Sequence, residues 1–222
     1  MKTETILKKE QRKEASTFST PLNSTEKARL EITNGVSNLD LTGDPSTFDL
    51  FQAQFSSLIP EVYVQNGTVR IRYRLSLAES VKHTLLWKPH AARVSLNTSI
   101  PWDINLRGGV ANLQADLRKT DLKSLTFSGG ISQAEILLPR PSGHVAVYVM
   151  GGASKLTFLL PDGVKVQLRV HGGASNLTFG SQSFGGLGGK VDFETPGYEE
   201  AADRYEIRVF SGATHLTVNR QE

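Results

Sequence analysis

Apolar residues alternate with polar ones on either side of a glycine pair, and this unit recurs along the middle of the chain. The pairs are Gly108-Gly109, Gly129-Gly130, Gly151-Gly152 and Gly172-Gly173, at successive steps of 21, 22 and 21 residues. With the second glycine as origin, two diverged corners join the series, Asn34-Gly35 and Ser211-Gly212. Three positions before the origin lie Ile32, Leu106, Phe127, Val149, Val170 and Val209; five before lie Leu30, Ile104, Leu125, Val147, Leu168 and Ile207. After it, the columns Val36/Val110/Ile131/Ala153/Ala174/Ala213, Leu39/Leu113/Ala134/Leu156/Leu177/Leu216 and Leu41/Ala115/Ile136/Phe158/Phe179/Val218 are equally apolar. A spacing of two is the period of a half-buried strand. Glycine at the corner supplies backbone angles that a side chain would penalise. The pattern therefore predicts strand, Gly-Gly turn, strand rungs of about 21 residues, stacked at about 4.8 Å so that each buries its neighbour's apolar face. No segment holds a helical stripe for three turns, so the class is all-β, a β-solenoid-like stack.

Organisation follows from the same pattern. The repeat and its diverged ends run from about Ala28 to Val218, which makes residues 28–222 one β-repeat domain. Residues 1–27 hold six basic and four acidic residues and few apolar ones, and read as a disordered charged tail. Ala28 to Leu41 is the first rung. Gly43 to Pro60 is looser, with a short turn of helix expected around Phe48 to Phe55. Asn66-Gly67 between Val62 to Val64 and Val69 to Tyr73 predicts a hairpin. Leu75 to Pro89 reads as a connection and Ala92 to Leu96 as a strand. Gly173 and Gly212 are 39 residues apart, about 18 more than one rung, and the surplus falls in a Gly-rich insert at 180–204.

Composition narrows the chemistry. The chain has no cysteine, which removes disulfides and thiolate catalysis. No apolar run approaches the length of about 20 residues that spans a bilayer, and no signal peptide is evident. On that basis the expected location is cytoplasmic, at the membrane face through a partner. The net charge is +3, of which the tail supplies +2, and no basic face with interleaved aromatics argues for nucleic acid.

Local motifs define no catalytic or ligand site. Gly185-Gly186-Leu187-Gly188-Gly189-Lys190 lacks the phosphate-loop pattern, since Phe184 and Val191 stand where glycine and Ser/Thr are required. His83, His90, His144, His171 and His215 show no metal-ligand spacing, and His215 falls in a polar corner column with Asn38, Asn112, Gln133, Lys155 and Asn176. No nucleophile elbow or paired-carboxylate motif occurs. The expectation is no catalytic residue, no cofactor and no metal. Asn23, Asn66, Asn97 and Asn176 head Asn-x-Ser/Thr sequons, read as turn and strand composition.

Two outward stripes stand out. Arg70, Arg72 and Arg74 alternate with inward Val69, Ile71 and Tyr73, and read chiefly as a solvated, edge-protecting face. Two and four residues before the corner lie Tyr148, Met150, Arg169, His171, Arg208 and Phe210. Such residues on an outward face are those that interfaces use. An equal alternative is that the insert folds over them.

The strings Ile100-Pro-Trp-Asp-Ile-Asn-Leu-Arg-Gly-Gly-Val-Ala-Asn-Leu-Gln-Ala-Asp-Leu117 and His171-Gly-Gly-Ala-Ser-Asn-Leu-Thr-Phe179 carry a signature, as do Thr195-Pro-Gly-Tyr198 and Tyr205 to Val218. Together they resemble the bacterial toastrack domains, the LiaF-type cell-wall-active antibiotic response proteins and related adhesin-like families. The resemblance implies a β-strand repeat without a catalytic centre, linked to envelope-stress sensing and protein contact. The expected function is a non-enzymatic interaction or scaffold domain with a protein partner or self-association. The alternative is a module for envelope polysaccharide, with outward Tyr148 and Tyr198 as stacking platforms.

Overall fold

The computed structural model describes residues 5–6, 10–12, 15–56, 58–73 and 90–221. Its strands are β1 (Thr5–Ile6), β2 (Glu10–Arg12), β3 (Ala15–Pro21), β4 (Ala28–Thr33), β5 (Val36–Asp44), β6 (Asp49–Ser56) and β7 (Glu61–Gln65). There follow β8 (Thr68–Arg72), β9 (Ala91–Asn97), β10 (Pro101–Leu106), β11 (Val110–Asp116), β12 (Asp121–Phe127), β13 (Ile131–Leu137) and β14 (His144–Val149). The last are β15 (Ala153–Leu160), β16 (Lys165–Val170), β17 (Ala174–Phe179), β18 (Gln182–Phe184), β19 (Val191–Glu194), β20 (Arg204–Val209) and β21 (Ala213–Arg220). They form two sheets, in the orders β1-β7-β8-β4-β10-β12-β14-β20-β16-β19 and β18-β17-β21-β15-β13-β11-β5-β9-β6-β3-β2.

Each predicted rung crosses from the first sheet to the second through its glycine corner. Within each sheet the rung strands pair in parallel, with the predicted columns level: Leu106 with Ile32 and Phe127, Leu113 with Leu39 and Ala134. Their inward side chains merge into one core with Trp102, Tyr205, Phe127 and Phe158, all essentially inaccessible. The ends of both sheets carry antiparallel strands, and neither sheet closes. The stack is thus a pair of facing mixed sheets rather than a uniformly wound coil.

The two glycines of a corner have different work. A Cβ at Gly108 would lie 1.8 Å from the Gly35 nitrogen, one at Gly129 2.5 Å from the Gly108 carbonyl, and one at Gly151 2.4 Å from Gly129. Corner stacks directly on corner, so the first glycine is required by contact. At Gly109, Gly130 and Gly152 the nearest atoms stand at 3.6, 3.7 and 3.9 Å, and a side chain would fit. The opposite edge of the stack is tied by Asn97, which donates to the carbonyls of Thr47 and Asp49 and accepts from Ser99, while its own carbonyl receives the Trp102 indole N–H at 2.8 Å.

Three local expectations change. Residues 49–56 are a strand rather than a helical turn: Phe51, Ala53 and Phe55 are buried on one face, as period two requires, and pair with β9. Ala15–Pro21, assigned to the tail, is β3 and pairs antiparallel with β6; Phe18 buries itself edge-on against Phe55, at 5.6 Å. β8 lies between β7 and β4, so Arg70 and Arg72 do not protect an edge; Arg74 and Leu75 to Pro89 lie outside the described residues. The Asn66-Gly67 hairpin forms as the dipeptide predicts, with φ of 49° and 73°.

The final rung is out of sequence order. β20 lies between β14 and β16, and β21 between β15 and β17. The insert makes this possible: β19 adds to the outer edge of β16, β18 adds to β17, and the chain returns to fill the place one rung back.

Candidate functional site

The outward residues of the first sheet fall into level columns because the rungs share one register. One column runs Arg70, Glu31, Asn105, Thr126, Tyr148, Arg208, Arg169, Asp192. A second, two residues nearer the corner, brings Met150, Phe210 and His171 together through the ladder bonds from Phe210 N–H to Val149 and from His171 N–H to Val209. All six residues singled out in the sequence therefore share one face of three adjacent rungs. His171 and Phe210 stack at 5.2 Å with planes 3° apart, and Phe210 meets Tyr148 at 6.1 Å. Met150 and Phe210 are 48% and 40% exposed; among the described residues, Phe48 and Ile59 are the other exposed large apolar side chains, and both lie away from this face.

The two arginines are held by a carboxylate the sequence reading passed over. Glu206, almost buried on this outer face, accepts from Arg208 Nε at 2.9 Å and from Arg169 Nη1 at 3.4 Å, and His144 Nε2 lies 3.6 Å from its other oxygen. Arg169 Nε also donates to Asp192 at 3.0 Å, a bond that favours its charged form. The signal was present: Glu206 and Arg208 are two apart on a strand, hence on one face with opposite charges. Glu31 makes the matching clamp at the other end of the stack, between Arg70 Nε at 2.9 Å and Arg107 Nη2 at 3.4 Å.

The insert packs elsewhere. Phe184 and Phe193 meet at 4.9 Å and Phe193 lies on Phe179 at 5.6 Å, closing the end of the core between the two sheets. Leu187 and Ala174 exchange two backbone bonds of 2.8 Å. Only Asp192 reaches the arginines, and Met150, Phe210 and His171 stay exposed. Tyr198 is not an outward platform: it is 4% exposed beneath the Arg204 guanidinium, 4.9 Å from the ring, and burial raises its phenol's pKa.

Beside the aromatic column, the stacked corners floor an open trough of about 770 Å³, with Ser37, Ser132, Ser154 and Thr214 along one bank. The polar column beyond it pairs level side chains, the Asn112 amide donating to Asn38 at 2.9 Å and the Asn176 amide meeting the His215 imidazole at 3.3 Å. Among the described residues no three His, Asp or Glu side chains gather as metal ligands would. No helix among them is long and apolar enough to cross a membrane.

Residues 7–159 match the family described as the N-terminal domain of toast_rack, DUF2154. That is more than half of the chain, and the chain belongs to this family. A crystal structure of a candidate cell adhesion protein from Clostridium sporogenes superposes with a TM-score of 0.66 at 18% identity, over 96% of this chain and 100% of that one. At that identity the likeness establishes the fold. A candidate lipid-binding protein from Parabacteroides distasonis aligns at 9% identity over 94% of this chain and 96% of that one, but its TM-score of 0.23 carries no argument. No curated protein sequence matches the chain.

Proposed function

We propose that the protein is a non-enzymatic interaction module whose contact surface is the face formed by Tyr148, Met150, Arg169, His171, Arg208 and Phe210. The observation that carries this reading is the coexistence, on three neighbouring rungs, of exposed Met150 and Phe210 with arginines already paired to Glu206 and Asp192. Burying an unpaired charge against a partner is expensive, whereas a compensated arginine can be covered with its hydrogen bonds intact. Aromatic residues, Met and Arg are also what interface centres are enriched in. The fold shared with a candidate cell adhesion protein agrees with such a role. The setting we propose is bacterial envelope-stress regulation at the membrane face, as the resemblance to LiaF-type proteins suggests.

The test replaces Met150 and Phe210 together by Ser and compares cross-linked partner capture with that of the intact chain. Capture should vanish while circular dichroism and the thermal midpoint stay close to the parent's. Undiminished capture, or loss of the fold, would remove this surface from consideration.

Recognition of an envelope polysaccharide is the second reading, and it moves to a different place. Of the two expected platforms, Tyr198 is buried and the half-buried Tyr148 packs against Phe210 at 6.1 Å, which leaves little open ring face for sugar stacking. The trough favours it instead: Gly109, Gly130 and Gly152 leave its floor open although the fold has room for side chains there, and hydroxyls line one bank. Protection of Ser132 and Ser154 backbone amides from exchange on adding cell-wall fragments would support that reading.

A further inference from the structure

The place occupied by the last rung has walls that match each other. Val149, Val209 and Val170 are level across β14, β20 and β16, and Thr157, Thr217 and Thr178 are level across β15, β21 and β17. Without β20 and β21, the β16–β17 rung could slide onto β14–β15 in the same register, apolar column on apolar column. Its outer edges are taken by β19 and β18, so the last rung cannot stack on that side instead. The chain therefore has a competing closed arrangement, in which 165–194 sits directly on β14–β15 and 204–220 is left out.

Polar side chains of the last rung separate the two arrangements. The buried Tyr205 hydroxyl donates to the Pro139 carbonyl at 3.0 Å. Asp203 accepts from the Gly143 N–H at 2.6 Å, and the Ser211 hydroxyl donates to the Met150 carbonyl at 2.9 Å. Gln221 Nε2 donates to the carbonyls of Leu138 and Leu159 at 2.7 and 3.0 Å. At the equivalent levels of the β16–β17 rung stand Val164, Val166 and Gly172, which have no side-chain group to make these bonds, and at the level of Gln221 the chain has already turned back at Gly180.

We infer that the C-terminal rung is an insertable element, held between two walls that can close without it, and that Asp203, Tyr205 and Ser211 bias the chain toward the inserted state. The device is conformational: it releases or takes up one strand from each sheet at once without disturbing the register of the remaining rungs.

The absence of native cysteine allows a direct test. Thr157→Cys with Thr217→Cys reports the inserted state, because adjacent strands at about 4.8 Å lie within disulfide reach. Thr157→Cys with Thr178→Cys reports the closed state, since two rung spacings, about 9.6 Å, exceed that reach until the slot closes. Full-length chains of both kinds are refolded from urea under oxidising conditions, in the parent background, with Tyr205→Phe, and with Asp203→Ala/Tyr205→Phe/Ser211→Ala. The closed-state bond should be a minor product in the parent and rise several-fold with Tyr205→Phe and further in the triple variant. If the closed-state bond fails to form in every background while the inserted-state bond still forms, the inference is wrong. Should the triple variant not fold, the partition of the conservative Tyr205→Phe chain between the two bonds decides the matter alone.

Discussion

The imidazole of His171 lies flat against the ring of Phe210, at 5.2 Å and within 3° of parallel, across the paired strands β16 and β20. Because the last rung takes the inner position, Phe210 lies between Tyr148 and His171 and meets both rings. The face carries a ladder of Tyr148, Phe210 and His171 with Met150 beside it.

His171→Ala removes one rail of that ladder without touching the core. The expected loss of stability is small, about 0.5–1 kcal/mol for an aromatic pair at the surface. Partner capture should fall by more than stability does. Urea denaturation of the variant alongside the capture assay measures both.

Corner glycines should respond unequally to the same change. Gly129→Ala drives a methyl group into the Gly108 carbonyl, where an added Cβ would stand at 2.5 Å, against backbone that cannot rotate away. A loss of about 3 kcal/mol or more, or failure to fold, is expected. Gly130→Ala meets nothing closer than 3.7 Å and should stay within about 1 kcal/mol of the parent. Equal effects from the two would contradict the stacked-corner geometry.

Glu206→Gln keeps the size of the side chain and removes its charge from between Arg169 and Arg208. Because both arginines are partly in water, the loss should be about 1–2 kcal/mol rather than the larger figure for a fully buried pair. The same substitution leaves two arginines less compensated on the proposed contact face, so high salt should lessen its effect on capture.

Alkali should destabilise the fold through two phenols. Burial raises the pKa of Tyr205 and of Tyr73 well above their ordinary value of about 10. A raised folded-state value means that the contribution is complete below pH 10 and is lost as pH climbs from there toward the folded-state values. Urea midpoints should hold steady up to about pH 9 and fall above pH 10, with tyrosinate absorbance appearing as the chain unfolds. Tyr205→Phe should flatten that decline while lowering stability at neutral pH.

What could be read from the sequence was whatever obeys a period. The columns around each Gly-Gly pair have spacing two inside a step of 21 or 22, so the rung, its inward residues and the outward six were accessible by counting. The segment around Phe51 was not, because adjacent Leu50 and Phe51 are both buried and hide the alternation that Ala53 and Phe55 continue. β3 offers one large apolar residue, Phe18, and gains its place from pairing with β6, a contact between distant segments. Rung order leaves no local trace either, since β16 and β20 carry the same pattern and differ in a few polar groups such as Tyr205. The burial of Tyr198 depends on Arg204 folding over it within the insert, where no period applies.

That the last strand, β21, lies inside a sheet rather than at its border bears on how the protein is made. A ribosome delivers rungs in the order of the message, and stacking could otherwise keep pace with translation. Here the place between β15 and β17 cannot be filled by β21 until residues 213–220 have emerged. That part of each sheet is completed only once these residues are available, and a chain cut before residue 204 would lack an interior course of the wall rather than its end.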